Sequence, residues 1–406
     1  MKDKEFDVVI VGAGPAGCAC AYQLSGKGLK VALLDKDNFP RDKICGDALS
    51  ADVINQLHRM DPNLAEQFQN IVPKTSSKGI RFFSPDSEHL DINFTHAASS
   101  PGFVSKRTEF DNFFFSQIRQ RPDIDVFLEH KVEDIYPLDQ KVMITTNQEN
   151  FSASMVVGAD GAHSVVTRKL AGYQVEKDHH SAGLRQYYEN VTGFHQDHYI
   201  ELHFYEGVLP GYFWIFPLPD NQANVGLAML SSEISKQKIN LKEKLTEIIQ
   251  HHPNVAERFI NAKPLESIKG FGLPLGSTKR LCSGERFLLT GDAAGLIDPF
   301  SGEGIGNAIR SGRIASQHLM RAFGQQRFDA GFNALYDQEI YTKMWKELRV
   351  SRSMQRLLRF PWLINFVVRK AKKNESIRLL LTSMLDNVDM KRELLKPSFY
   401  IKLIFT

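Results

Sequence analysis

The 406-residue chain is 42% hydrophobic and 24% charged, with 28 glycines and 17 prolines, a balance that excludes a disordered tail, a collagen-like fibre and a small disulfide-stapled scaffold. Its four cysteines, Cys18, Cys20, Cys45 and Cys282, show neither CxxC nor metal-ligand spacing, so a reducing compartment and a metal-free site are expected. The net charge of +3 hides an asymmetry: residues 341–406 carry 15 Lys/Arg against 5 Asp/Glu, leaving an acidic body and a basic tail.

The first segment, Phe6 to Val11, reads as a short buried strand. It runs into Gly12-Ala-Gly14-Pro-Ala-Gly17 and the helical stretch Cys18 to Leu24, and a second strand, Leu29 to Leu34, ends at Asp35. Strand, glycine turn, helix, strand and terminal acid form the dinucleotide-binding βαβ unit. Gly12 allows the tight turn, Gly14 lets backbone amides approach a pyrophosphate, and Gly17 lets helix and strand pack closely. Asp35 accepts from the ribose hydroxyls of an adenosine. Lys36 and Asp37 beside it disfavour a 2′-phosphate, so FAD or NAD is expected rather than NADP.

Farther along, a helix is expected around Phe110 to Ile118, then a strand pair at Ile124–Leu128 and Val132–Tyr136, then a buried strand, Met155 to Ala159, ending in Asp160-Gly161. From about Ser181 to Leu230 the pattern becomes aromatic and alternating, which predicts an antiparallel sheet of a different domain. The strand Arg286 to Thr290 leads through Gly291-Asp292 into a Gly/Pro loop and the helix Gly304 to Ala322. Pro361 divides the basic segment Trp345–Lys373 into two helices. Gly270 to Gly276 follows no convincing strand, so no second nucleotide fingerprint is expected.

An acid at each of the two later strand ends can hydrogen-bond a ribityl hydroxyl. The glycine-rich helix start offers amides and a dipole to a flavin edge. With these residues the chain resembles a group A flavoprotein of the aromatic hydroxylase superfamily: the glycine loop, Asp160-Gly161 and Gly291-Asp292 occur in that family's order. Within it, the chain resembles geranylgeranyl reductases. Tyr212-Phe-Trp214-Ile-Phe216-Pro217 keeps their Tyr-x-Trp-x-Phe-Pro signature, and Pro40-Arg-Asp-Lys43-Ile-Cys45 keeps their Pro-x-x-Tyr-x-Cys element, with Lys43 in place of the tyrosine.

The resemblance implies an α/β fold: a Rossmann-like FAD-binding domain (residues 1–72, 103–172 and 268–330) interrupted by an antiparallel-sheet substrate domain (73–102 and 173–267), with a C-terminal basic helical region (331–406). It implies that Cys45 and Gly46 lie beside the isoalloxazine, that Arg107 contacts the FAD and that the backbone of Val132 holds the adenine. Asp160, Gly161, Asp292, Gly302, Gly304 and Ile305 complete the expected cofactor set. A plainer alternative for Arg107 is a surface ion pair with Asp111.

Tyr212, Trp214 and Phe216 share one strand face and form either a wall of an apolar substrate cavity or ordinary sheet core. Such a cavity above a flavin suits reduction of a prenyl double bond, with NAD(P)H or ferredoxin as electron donor. Cys45 is the catalytic candidate, as a thiol that protonates or holds a water; its alternative is a small buried hydrophobe. Glu303 and Asp298 could act instead, or simply satisfy loop amides. A monooxygenase or halogenase is the competing chemistry, with Lys78 as the lysine a halogenase needs, and a flavin redox partner without turnover is the third reading. The N-terminus is acidic where a signal peptide is basic, and no apolar run approaches the roughly 20 residues of a membrane span. A cytoplasmic protein is expected, with an apolar or lipid substrate. Its basic tail either touches the inner face of a membrane or packs on the flavin domain, and no nucleic-acid partner is expected.

Overall fold

The computed structural model describes residues 4–94 and 102–386, so the part of the basic tail beyond residue 386 lies outside the described residues. A five-stranded parallel core runs in the order Phe287–Leu289, Asn150–Gly158, Lys4–Val11, Val31–Leu34, Ile124–Phe127. Its central strands are apolar on both faces because helices cover both sides. Packed against it are Pro15–Leu24, Arg107–Arg119 and Ile305–Gln325. Gly12, Asp35, Asp160 and Asp292 all follow carboxyl ends of parallel strands, the edge where open α/β sheets bind ligands.

Ile124–Phe127 and Val132–Leu138 are not mates, contrary to expectation. The first extends the parallel sheet beside Val31–Leu34, whereas the second pairs with Lys141–Thr146, a strand whose polar ends hid it in the sequence.

The second sheet runs Lys263–Pro264, His180–Glu189, Gln222–Leu230, Tyr212–Pro217, Ile200–His203, Gly79–Phe83, His89–Asn93. It is antiparallel except where Ile200–His203 meets Gly79–Phe83. Lys269–Pro274 also pairs with His180–Glu189, so the run from Gly270 begins inside a strand of this sheet rather than following one as a nucleotide turn does. Alternation divides the faces. Phe213, Ile215, Val225 and Leu227 pack with Leu245 and Ile248 of the helix Leu241–His251, while Trp214 and Phe216 pack on the opposite side. A small sheet of Ala48–Leu49, Thr75–Ser77 and Gly102–Val104 lies between.

Ala330–Leu357 and Pro361–Lys373 are the two helices expected around Pro361, which takes the first turn of the second helix, where a missing N–H costs nothing. Val368, Ala371 and Ile377 pack on Leu90 and Ile92, closing the far edge of the second sheet. Arg369 pairs with Asp86, Lys372 with Glu88 and Arg359 with Glu233. Part of the tail's positive charge is therefore neutralised within the chain.

Candidate cofactor and substrate site

A cavity of about 1220 Å³ runs from the carboxyl edge of the parallel sheet, along the aromatic face of the second sheet, to the helix Pro361–Lys373. Of the residues expected at a site, Gly12, Gly14, Asp35, Lys36, Cys45, Gly46, Arg107, Val132, Asp160, Gly161, Tyr212, Trp214, Phe216, Asp292, Gly302, Gly304 and Ile305 all border it. Gly17 does not. A Cβ there would stand 1.9 Å from the Gly12 carbonyl oxygen, so it serves the contact between helix and turn.

The polar end has the form of a nucleotide cradle. Gly12 has φ +103°, and a Cβ on it would meet the Ala159 carbonyl oxygen at 2.4 Å; Gly14 faces open space, its nearest neighbour being Arg41 Nη2 at 3.7 Å. Pro15 opens the following helix, and no side chain caps its N-terminus, leaving free amides and the positive dipole end for phosphates. Asp35 is buried and oriented by the amides of Ala13 (2.7 Å) and Asp37 (3.0 Å). Arg41 lies 3.8 Å from Asp35, with its buried Nε unpaired. Amides for phosphates, an acid for ribose hydroxyls and the room left at Gly14 fit an FAD.

Arg107 is fully buried and donates two 2.7 Å hydrogen bonds to Asp111, so the ion pair weighed from the sequence is present, though it lies in the interior. Asp111 also accepts from Arg41 at 3.2 Å. Asp160 accepts from Ser164 Oγ (2.5 Å) and the Val165 amide (2.6 Å), bracing its own turn, and burial raises its pKa. Asp292 receives Lys43 at 3.0 Å. Asp298 accepts from the amides of Phe300 and Ser301, and Glu303 from that of Gly306, which accounts for both as loop-bracing groups.

Toward the apolar end, the rings of Tyr212, Trp214 and Phe216 succeed one another at 6.1 and 6.0 Å. They continue a wall of Ile80, Phe82, Leu90, Ile92, Ile200 and Leu202. Gly46 lies against this wall, where a Cβ would meet Phe216 at 3.0 Å. Burial pushes the Cys45 thiol up in pKa and outweighs the opposing charge of the Arg107 guanidinium, so it remains a thiol at neutral pH. From Asp47, which borders the cavity, a polar chain that sequence reading missed runs behind the wall to Asn224 and Tyr187. Trp214 donates to Asn224 (2.9 Å), Asn224 to the Cys45 carbonyl (2.7 Å) and to Asp47 (2.9 Å), and Tyr187 to Asp47 (2.6 Å). An acid directly after Cys45-Gly46 was its one visible signal.

The family described as FAD binding domain matches residues 5–337. A digeranylgeranylglycerophospholipid reductase of Methanosarcina mazei is 27% identical over 86% of this chain and 82% of the relative. A menaquinone reductase of Mycobacterium tuberculosis is 28% identical over 78% of this chain and 77% of its own length. The crystal structure of a geranylgeranyl bacteriochlorophyll reductase-like protein from Thermoplasma acidophilum superposes with a TM-score of 0.80 at 23% identity, covering 92% of this chain and 93% of that one. With a sheet edge built for a dinucleotide and a family match over most of its length, the chain belongs to the FAD-binding domain family, and FAD is its cofactor.

Proposed function

We propose that the protein saturates carbon–carbon double bonds of an isoprenoid lipid with electrons from reduced FAD. The observation that carries this reading is the continuity of one cavity from the nucleotide cradle to an apolar end bounded by Phe82, Leu90, Ile92, Ile364 and Val368. A long hydrocarbon chain fits such a shape; a bare electron carrier has no use for it. The bound flavin supplies hydride. The chain's own residues bind and exclude water: Trp214 and Phe216 flank the alkene, Tyr212 is held by the Ser301 carbonyl at 2.5 Å, and the free amides at Pro15–Leu24 hold the phosphates.

The cofactor set proposed from the sequence is retained, with Gly17 as a packing residue and Cys45 as a protonated thiol bordering the reacting end. The halogenase alternative loses its lysine. Lys78 is paired with Asp197 at 2.9 Å, and it does not border the cavity. NAD(P)H or ferredoxin is the proposed source of electrons.

We place the protein at the cytoplasmic face of a membrane, where such a lipid resides. No helix among the described residues is long and apolar enough to cross one. Phe360 and Trp362 are nevertheless 48% and 65% exposed, at the start of the helix whose other side closes the cavity. The test is direct: reduce the FAD-loaded protein anaerobically and add digeranylgeranylglycerophospholipid or menaquinone. Reoxidation of the flavin with gain of two hydrogens per double bond is the expected result. Flavin reoxidised by oxygen alone, with halide or oxygen entering a product, excludes it.

A further inference from the structure

Asp47 is fully buried, adopts φ +67° and borders the cavity next to Gly46, which itself touches the aromatic wall. A left-handed conformation is unusual for a residue with a side chain, though aspartate tolerates it better than most, and here it holds the carboxyl in a single place. One carboxyl oxygen, Oδ2, accepts from Tyr187 (2.6 Å) and Asn224 (2.9 Å). The other, Oδ1, is buried with no hydrogen-bond partner. An unpartnered buried carboxylate oxygen is costly, and protonation of the carboxyl relieves that cost.

Resting on the reductase reading above, we infer that Asp47 is the proton donor of the reaction, delivering to the alkene carbon opposite the one that receives hydride. The alkene π bond breaks and two C–H bonds form, one to hydride supplied by reduced FAD and one to the Asp47 proton. The alkene gains two electrons and the flavin loses two. The Asp47 carboxylate then recovers its proton from solvent.

Four neighbouring groups suit this cycle. Burial pushes the Asp47 pKa up to about 6, opposed by the hydrogen bonds from Tyr187 and Asn224 and by the charges of Arg185 and Arg107. Arg185 lies 3.9 Å from the Tyr187 ring centroid, with Lys106 at 5.2 Å from the same ring. The carboxyl is thus protonated in a useful fraction near neutrality, and the carboxylate left by donation is already solvated by fixed donors. A general acid works best with a pKa near the operating pH. The Cys45 thiol, raised further by burial, is a far weaker acid. Its sulfur faces the Asp47 backbone amide, which assigns it to shaping the site.

The test uses the holoenzyme, reduced anaerobically with dithionite and mixed with digeranylgeranylglycerophospholipid or menaquinone across a pH series. Wild-type reoxidation is expected to slow as pH rises through about 6. Asp47→Asn should slow it by about 100-fold or more and abolish that limb. Asp47→Gly, which accepts the left-handed backbone without strain, should do the same with FAD retained. Tyr187→Phe removes a donor to the carboxylate and should move the limb to higher pH. Independently of turnover, infrared titration of the oxidised holoenzyme should show a protonated-carboxyl band that is lost above about pH 6 and is missing in Asp47→Asn. Asp47→Asn reacting at the wild-type rate with the same limb, or a titrating band unchanged in Asp47→Asn, overturns the inference alone; the separate band of Glu303 stays in both. A wild-type enzyme that reduces neither lipid sinks the reductase reading, and this inference with it.

Discussion

The Trp214 indole donates a 2.9 Å hydrogen bond to Asn224, and the Asn224 amide holds both the Cys45 carbonyl and Asp47. The aromatic wall of the cavity is therefore tied to the Cys45-Gly46-Asp47 loop through one buried side chain. Trp214→Phe keeps most of the ring but leaves the Asn224 oxygen buried and unpaired. An orphaned acceptor of this kind costs about 1–3 kcal/mol. Urea denaturation of the holoenzyme should register a loss of that size, together with slower lipid reduction. Unchanged stability would mean that Asn224 is held by its other contacts alone.

Gly14 and Gly17 of the first turn should separate by function when each is replaced with alanine. At Gly17 the new methyl would stand 1.9 Å from the Gly12 carbonyl oxygen, a backbone atom with no freedom to yield. Gly17→Ala should cost about 3 kcal/mol in the thermal or denaturant stability of the protein. At Gly14 the nearest atom is Arg41 Nη2 at 3.7 Å, so Gly14→Ala should fold normally and lose only affinity for FAD, because the methyl would enter the space proposed for the pyrophosphate. Equal effects of the two variants on stability would contradict this division.

That division was readable in the sequence because a glycine turn between strand and helix constrains its own geometry within a few residues. The same holds for Tyr212, Trp214 and Phe216, whose period of two places them on one face whatever the sheet around them. What stayed illegible was long-range pairing. Asn224 lies 177 residues from Asp47, and nothing in its neighbourhood marks it as a partner. Arg107 and Asp111 were recognisable as an ion pair from their spacing of four. Their burial was not, because it comes from tertiary packing, in which even Arg41, 70 positions from Asp111, arrives from another loop to bond it. The basic tail was legible only as a charge count, which does not show that Arg359, Arg369 and Lys372 each meet an acid of the body.

Glu303 ties stability to pH. Burial pushes its pKa up to about 7, with the Asp52 and Asp298 carboxylates adding to the rise and the Gly306 amide opposing it. The folded chain therefore keeps this proton at pH values where the unfolded chain, near 4.5, has released it. Stability from this group is greatest at low pH and falls as pH climbs from about 4.5 to 7, by up to about 3 kcal/mol. Denaturation of the cofactor-depleted protein at pH 5 and pH 8 should show the decline, and Glu303→Gln should flatten it. A profile equally steep in the variant would assign the slope to other buried acids, with Asp47 foremost.

The membrane contact proposed above should depend on apolar area more than on charge. Among the described residues of the tail, Arg359, Arg369 and Lys372 are spent on Glu233, Asp86 and Glu88, whereas Phe360 and Trp362 are held out from the surface at the head of the helix that closes the cavity. Tryptophan at such a position belongs at a bilayer interface. Replacing both residues with serine should weaken binding to phosphatidylcholine vesicles at least about tenfold, which takes only 1.4 kcal/mol, with FAD content and melting unchanged because neither side chain is buried. Raising salt from 0.05 to 0.5 M should change wild-type binding little, although exposed charges are largely screened beyond about 10 Å at 0.1 M. Binding that vanishes with salt and survives the double substitution would transfer the contact to the tail's basic residues, and would break the link between the docking surface and the apolar end of the cavity.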